Sequence, residues 1–282
     1  MDLRWQGDDS EARFSAYVEA LSDCLVHADR VAPFCSYCTG LLLPGARKSV
    51  EPMAARLRPD RTSAEHQSLL HFVGQSPWDE KALLASVHRL VLPAMTAAQA
   101  IEAWIVDDTG FPKKGRHSVG VGHQYCDQRG KQENCQVAVS LSMATSQASL
   151  PVTWRLYLPR AWCGPGAEDA VRRGKAKVPA PIAFQSKPEI ALEQITAARD
   201  EGSEPGVVLA DAGYGHSGPF RDGLTALGLD YIVGVQGNAT VWPEGKSPDA
   251  RRKPGRPPKG SERGGGEAPQ VSALAKAPPG GL

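Results

Sequence analysis

Apolar positions fall into three regimes along the 282 residues. Over 11–100 the spacing is helical: Phe14, Tyr17, Val18, Leu21 and Leu25 recur three and four apart, as on one face of a helix. Residues 40–44 interrupt the pattern, 50–57 resume it, and 63–67 open a further helix through Leu69, Leu70 and Phe72. Ser76-Pro77-Trp78-Asp79-Glu80 reads as a helix start, with Ser76 as cap and Pro77 in the first turn, ahead of Leu83, Leu84, Val87 and Leu90. Residues 1–100 are therefore expected to form an all-helical N-terminal module.

From residue 103 the period changes. Trp104-Ile105-Val106 reads as a short buried strand that ends on Asp107-Asp108. Runs 118–125 and 135–142 are β-rich and joined by a turn at Asp127-Gln128-Arg129-Gly130, and 150–158 is a further strand closed by Pro159. An amphipathic helix over 188–199 carries Ile190, Leu192 and Ile195 inward. Val207-Val208-Leu209-Ala210 is a second short buried strand, again ending on an aspartate, Asp211; 220–227 is helical and 231–235 is a last strand. Three meandering strands followed by helix–strand–helix–strand predict a mixed α/β sheet over 101–242. Past Trp242 the composition turns to Gly, Pro, Lys, Arg, Ser and Ala, so 243–282 reads as a disordered basic tail. No internal repeat is present.

Composition narrows the class. Hydrophobic residues make up 41%, enough for a sizeable core. No apolar run approaches the roughly 20 residues of a membrane helix. The polar, acidic start Met1-Asp2-Leu3-Arg4-Trp5 is unlike a secretory signal. The 6 cysteines then read as reduced thiols, and the expected setting is cytoplasmic, with no membrane partner. The net charge of +1 hides a local excess, because 251–263 holds six basic residues and one acidic one. Within it Arg251-Arg252-Lys253-Pro254-Gly255-Arg256-Pro257-Pro258-Lys259 resembles an AT-hook. An extended Gly-Arg-Pro core of that kind fits a narrow A·T minor groove, with flanking cations on phosphates. The alternative is a solvated end.

Two apolar strands that each deliver an aspartate form the most informative feature. Neighbouring strands lie about 4.8 Å apart, so carboxylates at their ends can share a divalent cation. Mg²⁺ takes one or two carboxylates together with water and phosphate oxygens. A pair of such ions about 4 Å apart activates the attacking oxygen and stabilises the leaving one in phosphodiester cleavage. An aspartate there equally caps the turn after a strand, and spacing alone leaves both readings open.

Sequence context adds to this. Ile105 through Gly115, reading IVDDTGFPKKG, is followed by Ser118-Val119-Gly120-Val121-Gly122 and Gln124-Tyr125-Cys126. Asn134 through Leu141, Trp154 through Pro159, and Val208-Leu209-Ala210-Asp211-Ala212-Gly213-Tyr214-Gly215 follow in order, with Thr39 through Leu42 and Arg47 through Ala54 upstream. Together these resemble DDE insertion-sequence transposases of the 701-type family from about residue 10 to about 260. The resemblance implies an RNase H-like fold, DNA strand cleavage and strand transfer, Mg²⁺ or Mn²⁺ as cofactor, transposon ends as partner and a bacterial cytosolic or nucleoid setting. Homo-oligomerisation stays open. It also implies two aspartates and one glutamate as ligands. Asp107 matches the first aspartate and Asp211 the second, with Asp108 held as a backup ligand. Lys113, Lys114 and Arg116 follow closely and are candidates for holding DNA phosphates, as are Arg251, Arg252, Lys253, Arg256 and Lys259. Past residue 242 only Glu244, Asp249, Glu262 and Glu267 are acidic, none on an apolar helical face. The expectation is therefore a truncated copy without its catalytic glutamate, inactive alone. The alternatives are a DNA-binding remnant and a metal-dependent nuclease unrelated to transposition.

Other motifs carry less. Cys35-Ser36-Tyr37-Cys38 lacks a second metal-ligand pair and reads as core. The glycines of 115–122 lack the strand-then-helix setting of a nucleotide loop.

Overall fold

The computed structural model describes residues 10–97, 99–164, 166–240 and 270–274. It divides into two units, Met1–Ala100 and Ile101–Leu282. Among the described residues no helix is long and apolar enough to cross a membrane.

The first unit is helical: α1 (Ser10–Ser22), α2 (Val31–Leu42), α3 (Val50–Leu57), α4 (Thr62–Gly74) and α5 (Glu80–Thr96). Val18, Leu21 and Leu25 from the predicted apolar face are buried with Phe34 and Phe72, and a second cluster joins Met53, Ala54 and Leu69. Gly40, expected to break the helix, lies inside α2, because its missing side chain lets Met53 and Leu57 approach to within 3.3 Å of where a Cβ would stand. Cys35 and Cys38 are free and pack against the first cluster, as a core reading requires. The start of α5 differs from expectation. The helix begins at Glu80, four residues after Ser76. Asp79 caps it instead, accepting from the backbone N–H of Lys81 at 2.9 Å and of Ala82 at 3.2 Å.

The second unit carries β1 (Ala103–Pro112), β2 (Gly122–Cys126), β3 (Lys131–Ala144), β4 (Ser149–Leu156), α6 (Ala167–Lys175), α7 (Lys187–Asp200), β5 (Val207–Ala210), the short α8 (Ala212–Gly215), α9 (Gly218–Ala226) and β6 (Tyr231–Val233). The strands form one sheet in the order β2-β3-β1-β5-β6, with β4 also pairing β3. β1 is antiparallel to β3 and parallel to β5, and β5 is parallel to β6. An antiparallel meander continued by parallel strands with helices between them is the RNase H-like mixed sheet that the sequence implies.

β1 is longer than its apolar run. Over Ala103–Val106 it has β5 on one side and β3 on the other, whereas beyond Val106 only β3 pairs with it. The apolar run therefore marks the doubly flanked part, and the polar continuation is still strand. Trp104, Val106, Val139, Leu141 and Val208 are buried, together with Ile190, Ala191 and Ile195 of α7 and Phe220 and Leu224 of α9. A capping box starts α7, with Ser186 accepting from the N–H of Glu189, whose carboxylate accepts from the N–H of Ser186. The α6 helix is strongly polar, with Val171 its one large apolar side chain, and is absent from the sequence reading. β2 begins at Gly122 instead of Ser118, so 113–121 is loop.

Thr240 pairs with Gln270, and Val271–Leu274 makes one helical turn inside the stretch expected to be featureless. Arg251, Arg252, Lys253, Arg256 and Lys259, and with them the AT-hook-like segment, lie outside the described residues.

The β1–β5 pairing depends on close approach. A Cβ on Gly206 would stand 2.6 Å from the backbone N of Ala103 and 2.8 Å from its Cα. Backbone atoms cannot rotate away, so Gly206→Ala should lower stability by about 1–3 kcal/mol, the usual range for overpacking. Gly218 has nothing within 4 Å of its Cβ position, and Gly218→Ala serves as the neutral control. Denaturant midpoints of the two variants check this.

Candidate functional site

The last parallel pair between β1 and β5 is Val106 with Ala210. The next residues in the two strands are Asp107 and Asp211. Asp211 is still extended, at φ −75° and ψ −178°, before α8 begins. Side chains alternate along a strand, so Asp107 shares a sheet face with Ile105 and Thr109, and Asp211 leaves the neighbouring strand on that same face. Asp108 points the other way, with Trp104 and Val106.

The two neighbours consequently meet different surroundings. Asp107 is exposed, and one of its oxygens accepts from the backbone N–H of Asp108 at 2.8 Å. Its pKa is raised, first by partial desolvation, then by the negative charges of Asp108, Asp211 and Asp127; the Asp108 N–H opposes the rise. Asp211 uses Oδ1 to cap α8, accepting from the N–H of Gly213 at 2.8 Å and of Tyr214 at 3.3 Å. The strand-end aspartate is thus a cap and also a neighbour of Asp107.

Asp108 is occupied. Its Oδ2 accepts from Lys187 Nζ at 2.5 Å, and its Oδ1 from the Tyr214 hydroxyl at 2.5 Å. Its side chain is 27% exposed and that of Lys187 25%. Charge-assisted bonds in so sheltered a place are stronger than their surface counterparts. The phenol of Tyr214 is pushed far above its ordinary pKa, by burial first and then by the charge of Asp108. It remains a hydrogen donor across the physiological range. Lys187 and Tyr214 have no part in the sequence reading, although Tyr214 stands within the quoted Asp211 motif. No local spacing signals either contact, because both side chains reach Asp108 from far along the chain.

Lys113, Lys114 and Arg116 follow the end of β1 and are all exposed. Asp127, read as a turn residue, accepts from the N–H of Gly110 at 2.6 Å and so holds the far part of β1 against the β2–β3 hairpin.

A family model described as "DDE superfamily endonuclease" matches residues 20–278. The chain belongs to this family. Among curated proteins, "Probable transposase for insertion sequence element IS701" of Microchaete diplosiphon is 32% identical over 176 residues, which is 62% of this chain. The matched stretch spans 42% of that relative's length. DDE superfamily endonucleases generally use divalent metals, and the residues present fit one. Asp107 and Asp211 each use a single oxygen toward a backbone donor among the described residues. Each keeps its other oxygen available on a shared face. Among the described residues no group of three or more His, Cys, Asp and Glu side chains stands close enough to hold an ion. Hard divalent cations complete such a pair of carboxylates with water and phosphate oxygens.

Two outcomes follow from these interactions. The Asp107 carboxyl has its pKa raised on folding, so between the unfolded and folded values the native chain holds the extra proton. Stability therefore falls as pH rises through that window and stays lowered above it. In metal-free buffer Asp107→Asn should unfold at a higher denaturant concentration than the parent at pH 7, with the advantage fading below the ordinary aspartate range. Tyr214→Phe removes one donor from a sheltered carboxylate and should cost about 1.5–3 kcal/mol of stability, read by thermal or denaturant unfolding.

Proposed function

We propose that this chain is a DNA transposase acting on an insertion sequence, in which Asp107 and Asp211 bind a divalent cation for strand cleavage and strand transfer. The observation that carries the reading is their position. Each is the residue after the last pair of two adjacent parallel strands, on one face, and each has an uncommitted oxygen. When bound between them, Mg²⁺ or Mn²⁺ would activate an attacking oxygen and stabilise the leaving oxygen of a phosphodiester. The chain's own residues do the positioning. Capping of α8 fixes the Asp211 carboxylate, and the Asp108 N–H fixes that of Asp107. Asp108, satisfied by Lys187 and Tyr214, ties β1 to the start of α7 and to α8 from the opposite face.

The alternative is a DNA-binding protein that does not cut. The relative's printed name, a transposase, supports the first. A single experiment separates them. Purified chain is incubated with duplexes carrying the element's own ends, in Mg²⁺, in Mn²⁺ and in EDTA. Metal-dependent nicks or joined products that Asp107→Ala and Asp211→Ala reduce by about 10–100-fold or more support the transposase. Binding of the duplex without any product in either metal supports the second reading. Calorimetric titration of Mn²⁺ reads the same two variants without activity, and each should weaken binding.

A further inference from the structure

Residues 112–126 hold Lys113, Lys114 and Arg116 with no acidic residue, and 170–188 hold Arg172, Arg173, Lys175, Lys177 and Lys187, again with none. The fold brings these two segments together. The Arg172 guanidinium donates to the carbonyl of Val121 at 3.2 Å and to that of Arg116 at 3.4 Å, and lies 3.8 Å over the ring of Trp162. Trp162 Nε1 donates to the same Val121 carbonyl at 2.8 Å. From the sheet, Asn134 donates to the carbonyls of Lys113 at 2.6 Å and Gly115 at 3.0 Å, and Gln136 to that of Val119 at 2.5 Å. The carbonyls of residues 113, 115, 116, 119 and 121 are thus all held from beneath, while the side chains of Lys113, Lys114 and Arg116 stay exposed.

The roles within the second segment divide in the same way. Lys187 is turned to Asp108, and Arg173 is spent on the carbonyls of Trp162, Pro179, Ala180 and Ile182. Lys175 and Lys177 remain exposed. Among the described residues none of Lys113, Lys114, Arg116, Lys175 and Lys177 is paired with a carboxylate. A merely solvated charge run needs no such anchoring. Holding the backbone of a cationic loop in one shape lowers the ordering cost of binding a polyanion.

We propose that loop 113–121 and the C-terminal turn of α6 with Lys177 form one basic ledge that takes the phosphate backbone of duplex DNA beside the site. The proposal rests on the reading of the chain as a DNA enzyme and adds where the duplex lies. Lys113 is six residues along β1 from Asp107, about 20 Å at about 3.3 Å per residue. At about 3.4 Å per base pair, the ledge grips the duplex about six base pairs from the phosphodiester presented to Asp107 and Asp211. Interactions of this kind position DNA and carry no sequence information.

The test is equilibrium binding of the full chain to a labelled duplex of arbitrary sequence, in EDTA, over a KCl series. Removing one cation that neutralises a phosphate should lower the magnitude of the slope of log K against log salt by about one. The double variant Lys175→Gln/Lys177→Gln should lower it by about two and Lys113→Gln by about one. Arg199→Gln, an exposed cation at the far end of α7, should leave it unchanged. Asn134→Ala removes no charge but frees the loop, so affinity should fall with the slope kept. Unaltered slopes in both lysine variants, or an equal decrease in Arg199→Gln, would overturn the ledge while leaving the DNA reading intact. Failure of the parent chain to bind duplex at all would overturn both.

Discussion

Parallel pairing of β1 with β5 is the constraint on which the rest depends. It covers only Ala103–Val106 against Val207–Ala210, yet it decides which side chains can act together. The register brings Asp107 and Asp211 to the same level and face. Because side chains alternate with a period of two, the same register sends Asp108 to the opposite face. The close approach at Gly206 permits it, as a side chain there would collide with the backbone of Ala103. Two adjacent aspartates, chemically identical in the sequence, thereby acquire different tasks. One stays exposed among like charges, and the other is taken up by an ammonium and a phenol.

Much of this was legible in the residues, and for physical reasons. The doubly flanked part of a strand must be apolar on both faces, so 104–106 and 207–210 stood out, and so did the aspartates after them. The helix read at 188–199 announced itself through apolar spacing, and the structure places it at Lys187–Asp200. Illegible features were those set by tertiary partners. The polar continuation of β1 to Pro112 is strand only because β3 runs beside it. Gly40 stays helical because α3 needs its empty side. The α6 helix offers only Val171 as a large apolar side chain among charges. Lys187 and Tyr214 reach Asp108 from 79 and 106 residues away, a relation that no local spacing encodes.

Family membership and geometry bear on different levels of the function. Membership in the DDE superfamily endonucleases rests on a match over residues 20–278. The geometry supplies what membership leaves out, namely which carboxylate oxygens are uncommitted and which are already spent. It also separates cations that support the backbone, such as Arg172 and Arg173, from those left facing outward.

The bonds of Asp108 also have a kinetic meaning. They join three segments separated by 79 and 106 positions, and closing loops of that length is entropically unfavourable until the surrounding sheet and helices exist. Pairings so remote in sequence slow folding and belong to its late stages. The second aspartate of the pair therefore locks only once β1, α7 and α8 have all arrived. Partly folded chains would carry Asp108 without its ammonium and phenol partners, so the tie between β1, α7 and α8 is a property of the finished domain and of no smaller fragment.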